Sequence, residues 1–166
     1  SLLVGELLSP VGGGQQNPAA RLGDAYGLSP DGFAGSLVGT FAAVVADSAK
    51  GRIVLVTDHV SSCPVFVSEI AGRLYFATSV AALVALPEIQ CQPDLSSVLA
   101  MLASSQLMNH RTMVRSVEQM PTGAVWTIGT SGLCKHRYWQ YQIHDAPVDR
   151  GVGHYVAQLQ DMLRAV

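Results

Sequence analysis

Side chains able to do chemistry are sparse in this chain and widely spaced. Cys63, Cys91 and Cys134 form no C-x-x-C or Cys/His pattern, so no metal site is expected. An odd cysteine count with no visible secretory signal points to reduced thiols and a cytoplasmic protein. Cys63 and Cys134 sit among strand-like residues and are expected to be small buried hydrophobes. The five histidines show no H-x-x-x-H spacing. His59, inside the turn from Asp58 to Pro64, has the chemistry of an acid–base group, although a structural role is the simpler reading. Val11 to Asn17, VGGGQQN, is rich in glycine but lacks the lysine and spacing of a phosphate loop, so it reads as a surface connection. Trp126, Tyr138, Trp139 and Tyr141 could stack a ligand, but aromatic cross-strand packing in a hairpin is the expectation.

The elements that must position these residues centre on Gly39 to Ala85. Thr40–Ala46, Arg52–Thr57, Val65–Glu69 and Leu74–Ala77 read as four consecutive strands, separated by turn residues such as Asp47 to Gly51 and Ala71-Gly72. The runs Phe41 to Ala46 and Ile53 to Val56 are apolar almost without alternation, which predicts a sheet covered on both faces. Ser1 to Leu8 reads as a further strand whose interior Gly5 marks a bulge or a close backbone approach, as to a ligand. Pro18 to Tyr26 reads as a helix with proline at its first position, and a second short helix should begin near Ser29. Ser79 to Leu86 is a short helix closed by Pro87. Another begins at Pro93-Asp94-Leu95 and carries Leu95, Val98, Leu99 and Leu102 on one face. Met101 and Met108 read as core fillers, and Thr112 to Met120 as a connecting strand or extended turn. Gly123 to Ile128 and Cys134 to Tyr141 should form a hairpin through Gly129-Thr130-Ser131-Gly132. His144 to Gly151 is the best linker. After it, Val152, Tyr155, Val156, Leu159, Met162, Leu163 and Val166 form one helical apolar stripe.

With 166 residues the chain suffices for one domain with a core plus an appended element. It is 49% hydrophobic and only 13% charged, which predicts an apolar surface buried against a second domain or subunit. A net charge of −2 with dispersed basic residues gives no support to nucleic-acid or anionic-membrane binding. The apolar runs are too short to span a bilayer.

Several ordered motifs resemble the N-terminal class II glutamine amidotransferase domain of the asparagine synthetase family. They are Gly39-Thr40-Phe41-Ala42, the run Thr57-Asp58 to Pro64-Val65-Phe66, Tyr75-Phe76-Ala77-Thr78-Ser79, Pro93-Asp94-Leu95, Met120-Pro121-Thr122-Gly123 and Arg137-Tyr138-Trp139. The resemblance implies an α+β fold: the αββα sandwich of N-terminal-nucleophile hydrolases, with mainly antiparallel sheets, incomplete at its N-terminal side. It implies residues 1–143 as a degenerate amidotransferase-like domain, residues 144–151 as a linker, and residues 152–166 as the first helix of an ATP-dependent synthetase domain.

Three departures bear on activity. The family places an N-G-E motif on an early strand, where its asparagine completes an oxyanion hole. Here Gly5 and Glu6 match, but Val4 stands at the asparagine position, and the loss of one such donor typically costs about 10²–10³ in rate. Counting back from Gly39 puts Pro18 where the family has the aspartate that binds the amino group of glutamine. The family's N-terminal cysteine nucleophile has no counterpart near Ser1. Ser1 itself carries an α-amine that could act as a base, yet the resemblance places it on an interior strand. Val4, Gly5, Glu6 and Pro18 are therefore the vestiges of a substrate pocket, with no catalytic residue among them.

The resemblance then implies a non-hydrolytic domain of an ATP-dependent amide-bond-forming ligase, as in β-lactam synthetases or lasso-peptide cyclases, with a structural or substrate-positioning role. ATP and Mg²⁺ would belong to the synthetase domain or subunit, which is the expected partner. A homodimer pairing exposed sheet edges is a further expectation. Two alternatives stand beside this reading: the glutaminase domain of a glutamine-hydrolysing asparagine synthetase, and a stand-alone non-catalytic partner module.

Overall fold

The computed structural model describes residues 1–8, 17–142 and 149–164. Its elements follow in order as β1 (Leu2–Leu7), α1 (Pro18–Leu28), a 3₁₀ turn (Phe33–Ser36), β2 (Gly39–Asp47), β3 (Arg52–Thr57), β4 (Phe66–Ile70) and β5 (Arg73–Ala77). Then come α2 (Val80–Val84), α3 (Leu95–Ser104), β6 (Glu118–Gln119), β7 (Ala124–Gly129), β8 (Gly132–Arg137) and α4 (Val152–Arg164). A five-stranded sheet runs β1-β2-β3-β7-β8 and a three-stranded sheet runs β5-β4-β6. All of their strand pairs are antiparallel.

Alternation along the central strands divides the core into layers. Phe41, Ala43 and Val45 of β2, with Val54 and Val56 of β3, face Leu22 and Tyr26 of α1 and Phe33 of the 3₁₀ turn. The opposite face of the same strands, Ala42 and Leu55 with Ala124 and Trp126 of β7, packs on Val65, Val67 and Met120 of the second sheet. The far face of that sheet, with Phe66, Tyr75 and Ala77, packs on Leu83 of α2 and on Ile89 and Val117. The layers are thus helix, sheet, sheet, helix, an α+β sandwich. The unbroken apolar runs of β2 and β3 are explained by it, because both faces of those strands are covered.

Polar clamps fix α1 to the sheet. Tyr26 donates its phenol to Asp47 Oδ2 at 2.7 Å and accepts from Arg52 Nε at 2.9 Å. That phenol, ahead of the opposing effect of burial, holds the Asp47 carboxyl below its ordinary pKa. At the start of α1, the Asn17 side chain caps the Ala19 amide and Pro18 fills the first turn, where a missing N–H costs nothing.

Several expectations need correction. The second helix is only a 3₁₀ turn of four residues. The β7–β8 hairpin closes one step earlier than the glycine spacing implied: Gly129 pairs with Gly132, leaving a two-residue Thr130-Ser131 turn. That register sets Trp126 opposite Lys135, whose ammonium lies 3.9 Å from the ring centroid, and carries Tyr138 and Trp139 beyond the strand. Aromatic cross-strand pairing is replaced by a cation–π contact. Cys134 is exposed, because β8 is an edge strand. On α3 the leucine stripe faces outward, with Leu95 65%, Leu99 65% and Leu102 78% exposed, and Met108 is exposed as well. The buried side of α3 is set by polar chemistry instead: Asp94 accepts from Ser97 and pairs with Arg111 Nη2 at 2.8 Å.

The apolar stripe of α4 is exposed along its described length. Within the linker and that last helix, residues 144–148, 165 and 166 lie outside the described residues, as does most of the Gly-rich loop, residues 9–16. No helix among the described residues is long and apolar enough to cross a membrane.

Candidate functional site

β1 is the outer strand of the five-stranded sheet, and its register on β2 sets Val4 opposite Ala42, Gly5 opposite Phe41 and Glu6 opposite Thr40. Gly5 adopts φ +106°, and a Cβ there would stand 2.0 Å from the Thr40 carbonyl oxygen. Gly39 mirrors it, with φ +151° and the Glu6 carbonyl oxygen 2.2 Å from an added Cβ. The close approach that an interior glycine signals is therefore strand on strand. These two glycines let β1 lie tight against β2.

Leu3 and Leu7 of β1 turn toward the α1 layer, which leaves Leu2 and Val4 on the inter-sheet side. There Val4 lines a cavity of about 230 Å³ between the sheets, together with Ala42, Val44 and Leu55 of its own sheet, and with Val65, just before β4, and Phe76 of β5 on the facing side. Thr78 carries the only polar side chain in the lining. Glu6 is exposed and is not part of that lining. Pro18 also stands outside it, in the first turn of α1, the helix that packs on the other face of the sheet. Near β1, the start of α1 is used for scaffolding: Ser1 Oγ donates to the Ala19 carbonyl at 2.7 Å, and Arg21 donates to the Leu7 and Leu8 carbonyls. Of the four candidate residues the structure brings Val4 to the cleft; Gly5 packs against β2, and Glu6 and Pro18 lie outside the lining.

A second concentration of polar groups lies where β3 ends. Asp58 is 1% exposed, and its carboxylate accepts from the amides of Phe41 at 2.8 Å, Val60 at 2.8 Å and Ser62 at 3.1 Å. Its carbonyl accepts from Gly123 N at 2.8 Å. Thr57, fully buried, donates to the Pro121 carbonyl at 2.6 Å and accepts from the Ala124 amide at 3.2 Å. The Tyr138 phenol donates to the Thr57 carbonyl at 2.8 Å. Burial, with a smaller contribution from the Asp58 charge, pushes that phenol up to about 12. His59 is half-buried against the rings of Trp139 and Tyr138, at 4.9 and 5.7 Å between centroids. Asp58 was not singled out as a candidate from sequence. Its signal was an aspartate opening a serine-containing turn, the pattern in which a carboxylate caps following amides.

The side-chain oxygens of Thr57, Asp58 and Tyr138 are all engaged with backbone groups, and His59 lies against two tilted rings. Among the described residues, no three His, Cys, Asp or Glu side chains gather into a metal-binding group. What the cleft beside Val4 offers is shape and apolar contact. Thr78 carries the one hydroxyl of its lining, which has no carboxylate, imidazole or thiol.

A glutamine amidotransferase domain family matches residues 24–139, more than two thirds of the chain. The chain belongs to that family. The match spans both sheets apart from β1, including the Thr57–Asp58 knot and β8. Val4, Gly5, Glu6 and Pro18, the candidate pocket residues, all precede the matched stretch of this amidotransferase domain. No curated protein matches the chain.

Proposed function

We propose that this amidotransferase domain does not hydrolyse glutamine and serves as the structural and substrate-positioning part of an asparagine synthetase-like, ATP-dependent amide ligase. The observation that carries the reading is Val4. Its isopropyl group lines the inter-sheet cavity at the position where the resemblance puts the oxyanion-binding asparagine. An alkyl group cannot donate to a developing oxyanion, and the rest of the lining supplies no nucleophile or base in its place.

A ligase that closes an amide within its own substrate has no need of ammonia. In such an enzyme, of the lasso-peptide or β-lactam type, a carboxylate is activated by ATP and an internal amine attacks it. ATP and Mg²⁺ would be held by the synthetase part. The described residues offer no carboxylate cluster for the metal, and the Gly-rich stretch VGGGQQN has no lysine for phosphate. The exposed stripe of α4, from Val152 to Leu163, fits a helix that packs into that partner.

The family match also suits a second reading, a hydrolytic glutaminase domain, which the sequence resemblance would place in an asparagine synthetase. Sequencing of the complete gene, with the intact mass of its product, separates the readings. A chain of several hundred residues with an S-G-G-x-D-S loop after α4 and no N-terminal cysteine is expected. An N-terminal Cys-Gly would favour the glutaminase. A product of about the mass of this chain, 17.5 kDa, would contradict the ligase and leave a partner module.

A further inference from the structure

We propose that the inter-sheet cavity beside Val4 binds a single uncharged apolar group, about the size of an aromatic ring or a branched aliphatic side chain. The inference rests on the non-hydrolytic reading above and names the class of substrate group that the domain would position.

Size comes first. The cavity measures about 230 Å³, whereas an apolar protein cavity of about 150 Å³ already stays dry and accepts benzene. It thus accommodates one ring or branched chain and part of its attachment. Access comes second. Leu2, Val4 and Phe76, which are 65%, 47% and 38% exposed, lie on outer strands of the two sheets and form the apolar rim of the cavity. Selectivity comes third. No charged side chain lines the cavity, and Thr78 has its only side-chain hydroxyl. The backbones of Ala42, Val44 and Leu55 are paired on both sides within the sheet. The free backbone groups of the edge strands β1 and β5 lie in the plane of their sheets, not toward the space between them. A primary amide has two N–H groups and a carbonyl to satisfy. Buried here it would leave most of them unpaired, which disfavours it by about 10- to 100-fold against an apolar group of equal size.

Methyl-resolved NMR of the full chain, titrated with toluene and separately with propionamide, tests the proposal. Toluene should shift the methyls of Val4, Val44, Leu55 and Val65 saturably, and propionamide at equal concentration should leave them still. Val4→Phe, at an exposed strand position, fills the mouth and should weaken toluene binding about tenfold or more. Should that variant not fold, Phe76→Ala, which removes the opposite lip, should weaken binding in the same assay. Silence of these methyls up to the solubility limit of toluene would overturn the proposal, as would equal response to propionamide. Shifts that follow protein concentration without toluene would mean that a second copy covers the cavity, and would overturn it too. Ammonia release from glutamine would refute the non-hydrolytic reading without altering the toluene result, so the two failures are distinguishable.

Discussion

The Thr57–Asp58 knot and the cleft beside Val4 lie in one sandwich and follow opposite rules. At the knot, the side chains of two adjacent residues reach five backbone groups, drawn from β2, the following turn and the Pro121–Ala124 segment. In the cleft, one threonine hydroxyl faces an otherwise apolar wall. Buried polar groups are costly unless paired, so polar residues are retained in an interior where they are saturated or where chemistry needs them. The knot satisfies the first condition. Apart from Thr78 the cleft is lined by apolar side chains, as a surface shaped for contact would be.

The comparison can be broken from the knot side first. Asp58→Ala leaves the buried Phe41 amide without an acceptor and frees the turn through Ser62. It should cost about 3 kcal/mol or more in urea-melt stability. Loss of under 1 kcal/mol would mean that the carboxylate is not what joins β2 to the turn. On the cleft side the largest effect should come from backbone, not side chain. Gly5→Ala places a Cβ against the Thr40 carbonyl in a conformation disfavoured for alanine, and should destabilise by about 2 kcal/mol or more, with amide exchange rising first in β1.

Proton titration sharpens the contrast at smaller scale. Tyr138 titrates near 12 when folded and at 10.0 in its ordinary state, so folding favours its neutral phenol. The stability it lends is complete below pH 10 and is lost as pH rises through about 12. Tyr138→Phe should flatten stability against pH across that window. The smallest effect belongs to Val4→Asn. At this half-exposed edge position it should change stability by only about 0.5 kcal/mol. It should also fail to create glutamine hydrolysis, because the lining still lacks a nucleophile. Activity gained from that single change would show that the cleft had lost only its oxyanion donor.

Much of the sandwich was legible in the sequence because its central strands announce themselves. Phe41 to Ala46 and Ile53 to Val56 have no polar face, which only a doubly covered sheet explains. The hairpin was misplaced because Gly129 and Gly132 read as loop when they pair with each other around Thr130-Ser131. The leucines of α3 were legible as a stripe but not as an outward-facing one. Periodicity gives the direction of a face, and only the tie between Asp94 and Arg111 decides which face is buried. Val4 was singled out by motif position and does line the cavity, whereas the face on which Pro18 stands depended on the path of α1 across the sheet. Asp58 was legible as part of a motif and as the aspartate opening a serine-containing turn, but not as a buried anchor, because its partners are backbone amides.

The measurement closest to the central claim is ammonia release from glutamine by the product of the complete gene. The apolar cleft predicts release no faster than the buffer blank at any glutamine concentration. Saturable release, lost when the glutamine analogue 6-diazo-5-oxonorleucine is added, would contradict it.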